Sequence, residues 1–417
     1  MKLRPSVLPP ASVAIMRFDT AAGGDREEGL ALSLAENLKV ALIATGKVDV
    51  LDLRSIHSKD PATAARSVLA ETYLTGKVQT TGGVAHASIA ILRVADGRPL
   101  WNGAFDGSAG NWFPIEDRAA GDLLSALWRE LPVVQHHTAD PEADQIYWRG
   151  RFAMEAGTRQ ALRNAGALFQ ESAEKDQANS LAWAGLADAS LLLSEWDPSS
   201  RLGLMPRVRV VANRAIELDP TIAEPHTALG LVAENYDWDW SQASHELKRA
   251  TDLNPTDAFA RLWYGEFLVQ TGKSDDGFTE LKRAAHLEPL SPLVKAIYAK
   301  CLYLARRYDE AIAMARGALL IDNDSFAARK WLVASYFQKS DLSNFADELV
   351  RLGAPATPLA QAAAAVGSGN RDKALEFLEQ SLNDRESGLI SVKTDPAFDP
   401  LRTDPRFGSV LSRMRLH

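Results

Sequence analysis

Two hydrophobic rhythms divide the chain. Near the start, Val13-Ala14-Ile15-Met16 is a short apolar run that suits a buried strand. Leu30, Leu34, Leu38 and Leu42 then recur every fourth residue, a helical stripe closed by Gly46, and Val48 to Leu53 reads as a second strand. Asp60-Pro61 is a helix start, with an acceptor side chain at the cap and a preset φ behind it. Strand-like segments follow near Glu71 to Thr80, Val84 to Val94 and Arg98 to Phe105. Gly82-Gly83 and Asp96-Gly97 separate them, and both are hairpin signals because glycine accepts positive φ. An amphipathic helix over Ile115 to Leu131 completes the region, and Pro132 to Pro141 reads as its boundary.

Past Pro141 the spacing is helical and it repeats. Asp219-Pro220, Asn254-Pro255, Glu288-Pro289 and Asp322-Asn323 end successive helical segments at steps of 35, 34 and 34 residues, the period of tetratricopeptide repeats (TPR). In the repeat from Ala258, Gly265 sits where two helices approach too closely for a bulky side chain, and Gly277 and Ala284 take the small positions of the second helix. Ala311 and Ala318 are their counterparts in the next repeat, and Gly230, Ala243 and Ala250 in the one before. The additional residue of that earlier repeat phases to the turn Tyr236 to Trp240, whose two tryptophans are read as a structural cap. Leu181 to Ser194 and Arg207 to Leu218 form an earlier pair if Glu195 to Pro206 is a long loop. Beyond Asn323 the repeats degenerate, though Phe326 to Phe337 and Arg371 to Leu382 still read as helices.

The fold class expected is therefore α+β, a small N-terminal α/β domain followed by an all-α TPR superhelix. Its parts are residues 1–134, a linker at 135–142, repeats over 143–390 and a capping segment over 391–417. Each repeat exposes an apolar face that only its neighbour covers, which gives the array a concave side. Standard phasing aims Glu224, Thr227, Glu234, Asn235, Glu266, Gln270, Lys300, Tyr303, Lys330 and Phe337 into that groove. Acidic groups dominate early and lysines late, a polarity that suits an extended peptide or a helix of a protein partner.

Charge and composition narrow the function. Of the net −8, residues 138–417 carry −7, and an array that acidic repels phosphate backbones, so nucleic-acid binding is not expected. The single cysteine, Cys301, can make neither an internal disulfide nor a zinc site and reads as core filler of a reducing compartment. Pro9 and Pro10 interrupt the only signal-like start, and no run approaches the roughly 18 apolar residues of a membrane span, so a soluble, cytoplasmic chain is expected. Gly23-Gly24 lacks the glycine spacing and lysine of a phosphate loop and reads as a turn. His136 and His137 stand in a linker with no nearby Cys or carboxylate set, so no metal and no cofactor are expected. No nucleophile, acid and base fall at catalytic spacing, and an enzyme is not expected.

Several stretches resemble a known group. Ser12 to Phe18, Gly29-Leu30, Tyr73 to Val78 and Gly97 to Trp101 resemble the TolB-like domain that precedes TPR arrays in bacterial signalling proteins. The turn Tyr236 to Trp240, Leu290-Ser291-Pro292, Ala305 to Ala311 and the ending Lys393 to Phe407 are similar to the same group. In that group the module sits behind an effector: a winged-helix DNA-binding domain, as in CadC-type and HilA-type regulators, a class III adenylate cyclase, or a protein kinase. The resemblance implies a non-catalytic partner-binding module of signal transduction. The chain is then the sensory part of a transcription regulator, a free-standing adaptor or chaperone-like scaffold, or the regulatory part of a cyclase, with oligomers possible.

Overall fold

The computed structural model describes residues 10–21, 24–54, 60–128, 136–155, 158–196, 198–353 and 357–416. The Pro9 interruption, Gly23 and the first residue of the expected linker, 135, lie outside them. The chain divides into two compact units. One runs to Ala189 and adds Glu217–Asp219 and His286–Pro289; the other holds the remainder.

The first unit opens with a sheet. Its elements are β1 (Ser12–Ile15), β2 (Asp19–Thr20), α1 (Asp25–Ala44), β3 (Asp49–Asp52), α2 (Pro61–Ser67), β4 (Thr72–Thr81), β5 (Val84–Arg93), β6 (Pro99–Ser108) and α3 (Phe113–Trp128). The strand order is β3-β1-β4-β5-β6, with β2 pairing β4. The sheet is mixed: β1 pairs parallel with β3 and β4, whereas β4-β5-β6 is antiparallel. Parallel neighbours need a crossover, which α1 and α2 supply. Gly82 and Gly83 turn the β4–β5 hairpin at φ 61° and 83°, a conformation closed to most side chains. Leu30, Leu34, Leu38 and Leu42 of α1 share one core with Leu123, Leu124 and Leu127 of α3 and with inward strand residues such as Val13, Leu74 and Ile91.

This unit does not end at the linker. It continues through α4 (Pro141–Glu155), α5 (Arg159–Lys175) and the start of α6 (Ser180–Trp196). Helix α4 packs on α1, where a Cβ on Gly29 would stand 3.4 Å from the Arg149 backbone. Helices α4, α5 and α6 meet around Phe169, whose ring fills the space that a side chain on Gly150 or Gly185 would occupy.

The second unit contains α7 (Pro198–Leu218), α8 (Glu224–Val232), α9 (Trp240–Leu253), α10 (Ala258–Gln270), α11 (Ser274–Leu287), α12 (Pro292–Leu304), α13 (Tyr308–Leu319), α14 (Phe326–Gln338), α15 (Leu342–Leu352), α16 (Pro358–Gly367), α17 (Arg371–Asn383) and α18 (Pro405–Arg413). These helices stack as TPR-type hairpins, α8 with α9, α12 with α13 and α14 with α15. One expectation fails here: residues 198–206 are helical, not loop. An internal proline removes one hydrogen bond and costs about 3 kcal/mol. Burial of Met205, Val208, Val211 and Ala212 on the same helix outweighs that.

The additional residue of the α8–α9 repeat is taken up by a π-helical turn over Ala233–Asp237. Trp238 closes it at φ 53°, Asp239 N donates to Ala233 O at 2.9 Å, and the Asp239 carboxylate caps α9. Trp240 Nε1 donates to Met414 O at 3.0 Å, and the Arg385 guanidinium lies over the Trp238 ring, so both tryptophans are structural.

A polar pair repeats with the hairpins. His226 Nδ1 meets Glu246 at 2.7 Å, Arg261 meets Glu280, and Arg329 Nη1 donates to Glu348 at 2.7 Å. In α12–α13 the acid is replaced by Met314, and burial pushes the Lys295 ammonium below its ordinary pKa.

The hairpin spacing rests on small residues. A Cβ on Gly277 would lie 2.7 Å from Gly265 O and 2.7 Å from Val269 Cγ2, whereas one on Gly317 meets nothing closer than Lys295 Cδ at 3.8 Å. Gly277→Ala is therefore expected to destabilise by about 1–3 kcal/mol, more than the ~1 kcal/mol gained in helix propensity. Gly317→Ala should stabilise by about 0.5–1 kcal/mol. Urea midpoints of the two variants check the opposite signs.

Candidate functional site

The first helices of successive hairpins present equivalent positions to one face. Glu234, Val269, Tyr303 and Phe337 form one row; Leu231, Glu266, Lys300 and Ala334 another; Thr227, Leu262, Ala296 and Lys330 a third. Stacking places residue i beside residue i+34, so Glu266 and Lys300 form a buried ion pair. Across the neighbouring gap Gln270 Nε2 donates to Glu234 Oε1 at 3.2 Å.

Of the ten residues phased to the groove, Thr227, Glu234, Glu266, Gln270, Lys300 and Tyr303 are buried. Glu224, Asn235 and Lys330 are half-buried, and Phe337 is exposed, its ring 5.5 Å from that of Phe345. Against this face lies the chain's own C-terminal segment. Two 3-10 turns, Leu389–Lys393 and Pro396–Leu401, lead into α18. Gly388 N donates to Asn235 Oδ1 at 3.3 Å, Tyr303 Oη donates to Asp395 Oδ1 at 2.9 Å, and Arg306 pairs with Asp399 at 2.7 Å. Leu389, Ile390, Val410 and Met414 share a cluster with Leu231, Leu247 and Phe267.

The sequence reading treated residues 391–417 as a cap and missed this seat. One signal was available. Thr394-Asp395-Pro396-Ala397-Phe398 recurs nine residues later as Thr403-Asp404-Pro405-Arg406-Phe407. Each Asp caps the turn it begins, and Phe398 and Phe407 stack at 6.4 Å, both buried. A segment so regular in its caps and so apolar between them is built to pack.

Electrostatics on this face follow from burial. Burial first, then the Glu266 charge, push the Glu234 carboxyl up to about 8, so it is largely protonated at neutral pH. Burial opposes the Lys300 ammonium, but Glu266 more than offsets it and its pKa is raised. Lys330 is lowered by burial and then by Lys300, and makes no ion pair within 4 Å among the described residues. Burial raises Asp395 despite the bonds from Ala397 N and Tyr303 Oη. Cys301 is held as a thiol, burial pushing it well above its ordinary range, and a buried thiol of that kind is inert.

The first unit holds a second buried polar cluster. The Ser33 hydroxyl meets Glu116 Oε1, Trp112 Nε1 donates to Asp144 Oδ2 at 2.9 Å, and His136 Nε2 sits 3.0 Å from Asp117 while its ring stacks on Phe113. Burial raises both carboxyls, Asp144 to about 6, and the Asp144 charge adds to the rise at Glu116. No group of three or more His, Cys, Asp or Glu among the described residues is placed to hold a metal. No helix among them is long and apolar enough to cross a membrane.

No protein-family model matches the chain, and no curated protein does. Among solved structures it is similar to the pilF protein of Pseudomonas aeruginosa, 18% identical over 53% of this chain and 97% of that one, with a TM-score of 0.37. It is also similar to YrrB, a TPR protein with an unusual peptide-binding site, at 17% identity over 54% and 96% of the two chains and a TM-score of 0.30. The human IFIT1 dimer with PPP-AAAA is 13% identical over 94% and 84%, at a TM-score of 0.47. The TPR assignment itself rests on the 34-residue spacing and the hairpin packing.

A carboxyl raised in the folded state stabilises most when protonated. The contribution of Glu234 is complete below its ordinary pKa of 4.5 and is lost as pH rises through about 8. Wild-type protein is therefore expected to lose urea resistance between about pH 5 and about pH 9, and Glu234→Gln, which keeps the shape without the charge, to lose less. Denaturation curves of both proteins across that range measure the difference.

Proposed function

We propose that this chain is a non-catalytic, protein-binding regulatory module of bacterial signal transduction, the partner-holding part of a transcription regulator. In this reading the sheet-containing unit is the TolB-like half and the protein works in the cytoplasm. The observation that carries the proposal is the first-helix face itself. It already holds a segment of two 3-10 turns and a helix by means a peptide-binding array also uses: a backbone amide on Asn235, a carboxylate on Tyr303 and apolar side chains beside them.

The magnitude of that contact decides where a partner binds. Leu389, Ile390, Val410 and Met414 are buried against this face, and Val392, Phe398, Leu401 and Phe407 of the same segment against α16 and α17. At ~1.5–3 kcal/mol each, stripping the whole segment away costs roughly 12–24 kcal/mol, at least what a nanomolar partner supplies. A partner therefore reads the composite rim rather than displacing the tail. Glu224, Asn235, Lys330 and Phe337 remain accessible to it, and Lys330, which makes no ion pair within 4 Å among the described residues, offers an ammonium to an acidic peptide. The acidic balance of the repeats continues to favour protein over nucleic acid.

A photo-crosslinking residue in place of Lys330, in the native host, is expected to trap one discrete protein that the same residue at Lys77 does not. Lys330→Glu should abolish its co-purification while leaving the far-ultraviolet spectrum and melting curve unchanged. Loss of a coherent set of transcripts on deletion supports the regulator. An unchanged transcriptome with the partner still bound would leave the adaptor reading in its place.

A further inference from the structure

We propose that Lys295 is an acylation site, a half-buried amine on α12 that takes a small acyl group from an acyl phosphate. The inference stands apart from the partner rim described above and rests on a break in the polar ladder of the hairpins. Arg261, Lys295 and Arg329 recur at 34-residue steps on successive first helices, and 19 residues after them stand Glu280, Met314 and Glu348. Arg261 and Arg329 are each held twice, by that glutamate and by a carbonyl of the preceding turn, Pro255 O at 2.6 Å and Asn323 O. Lys295 makes no ion pair within 4 Å and no side-chain hydrogen bond among the described residues.

The surroundings of the amine favour its neutral form and leave it reachable. In place of the acid, Met314 packs against the core that α12 and α13 share. Gly317, on the same helix, carries no side chain. A Cβ there would lie 3.8 Å from Lys295 Cδ with nothing nearer, so the lysine stem runs beside an open strip of α13. Burial is the one cause acting on the ammonium, and it lowers the pKa. Other lysines differ. Carboxylates raise Lys39, Lys248 and Lys300, which keeps the proton on each nitrogen. Lys330 is lowered too, but Asp395, Glu386 and Glu266 act against the shift, and no carboxylate does so at Lys295.

A desolvated lysine whose electron pair is free is a nucleophile. Its nitrogen attacks the carbonyl carbon of the acyl phosphate, and the bond from that carbon to the phosphate oxygen breaks. Phosphate leaves with the electron pair, and the amine proton passes to solvent. The product amide is uncharged, so the reaction removes the charge that burial disfavours in this hairpin. Arg261 and Arg329 cannot follow the same course, because a guanidinium stays protonated. A lysine at the ladder position that lacks its acid is the combination that allows the chemistry, and the open strip at Gly317 suits a group as small as acetyl.

Incubation of the full chain with acetyl phosphate, read by quantitative peptide mass spectrometry at low conversion, tests this. Lys295 is expected to acetylate at least about threefold faster than the exposed Lys77 and Lys282, the direction a desolvated amine gives. Met314→Glu restores the acid that Arg261 and Arg329 meet in their own hairpins. With its far-ultraviolet spectrum unchanged, that variant should slow Lys295 to the rate of those two lysines or below it. A rate at Lys295 no higher than at Lys77 and Lys282 overturns the proposal on the wild-type protein alone, and so does a folded Met314→Glu that leaves the rate unchanged.

Discussion

The approach of Gly277 to the carbonyl of Gly265 is the contact on which the repeat unit depends. With no Cβ between them, α10 and α11 come together at backbone distance, and the next first helix stacks at one repeat's separation. That separation brings Glu266 beside Lys300 and Glu234 beside Gln270. It also gives the face its rows, on which the C-terminal segment lies. A larger side chain at the contact would move all of these at once, because stacked hairpins transmit a displacement rather than absorb it.

Buried charge gives that face its second property. Two carboxyls and one ammonium out of water cannot all be ionised cheaply, and the arrangement settles by pairing one acid and protonating the other. Burying such groups gains little stability compared with apolar residues of the same volume. It does constrain register, since Tyr303 and Asn235 each have a hydrogen-bonding partner at one place along the tail.

Much of the fold was legible because its signals are local. Asp60, Asp257 and Ser291 cap the helices that follow them, Gly82-Gly83 turns a hairpin, and the 34-residue period survives from Asp219 to Asn323. The additional residue before Trp240 could be phased to within a turn because each neighbouring repeat kept its length. The reading failed at residues 198–206, where repeat phasing left Glu195 to Pro206 as a long loop and the burial that overrides Pro206 depends on neighbours distant in sequence. It also stopped the first unit at the linker, whereas α4 packs on α1 by a close approach at Gly29.

The ten groove positions show the same division. Periodicity alone assigns them to one face, since equal phase means equal orientation along stacked helices. What occupies that face was beyond the sequence. Asn235 meets Gly388, Tyr303 meets Asp395 and Trp240 meets Met414 across 153, 92 and 174 residues, and no pattern within either segment encodes its distant partner. The sequence by itself determined the helices, their period and the polarity of their faces, because these follow from backbone geometry and neighbours a few residues away. Only the tertiary structure decided that the tail lies on the face and that Glu234 keeps its proton, because each depends on which surfaces come within contact distance once the hairpins stack.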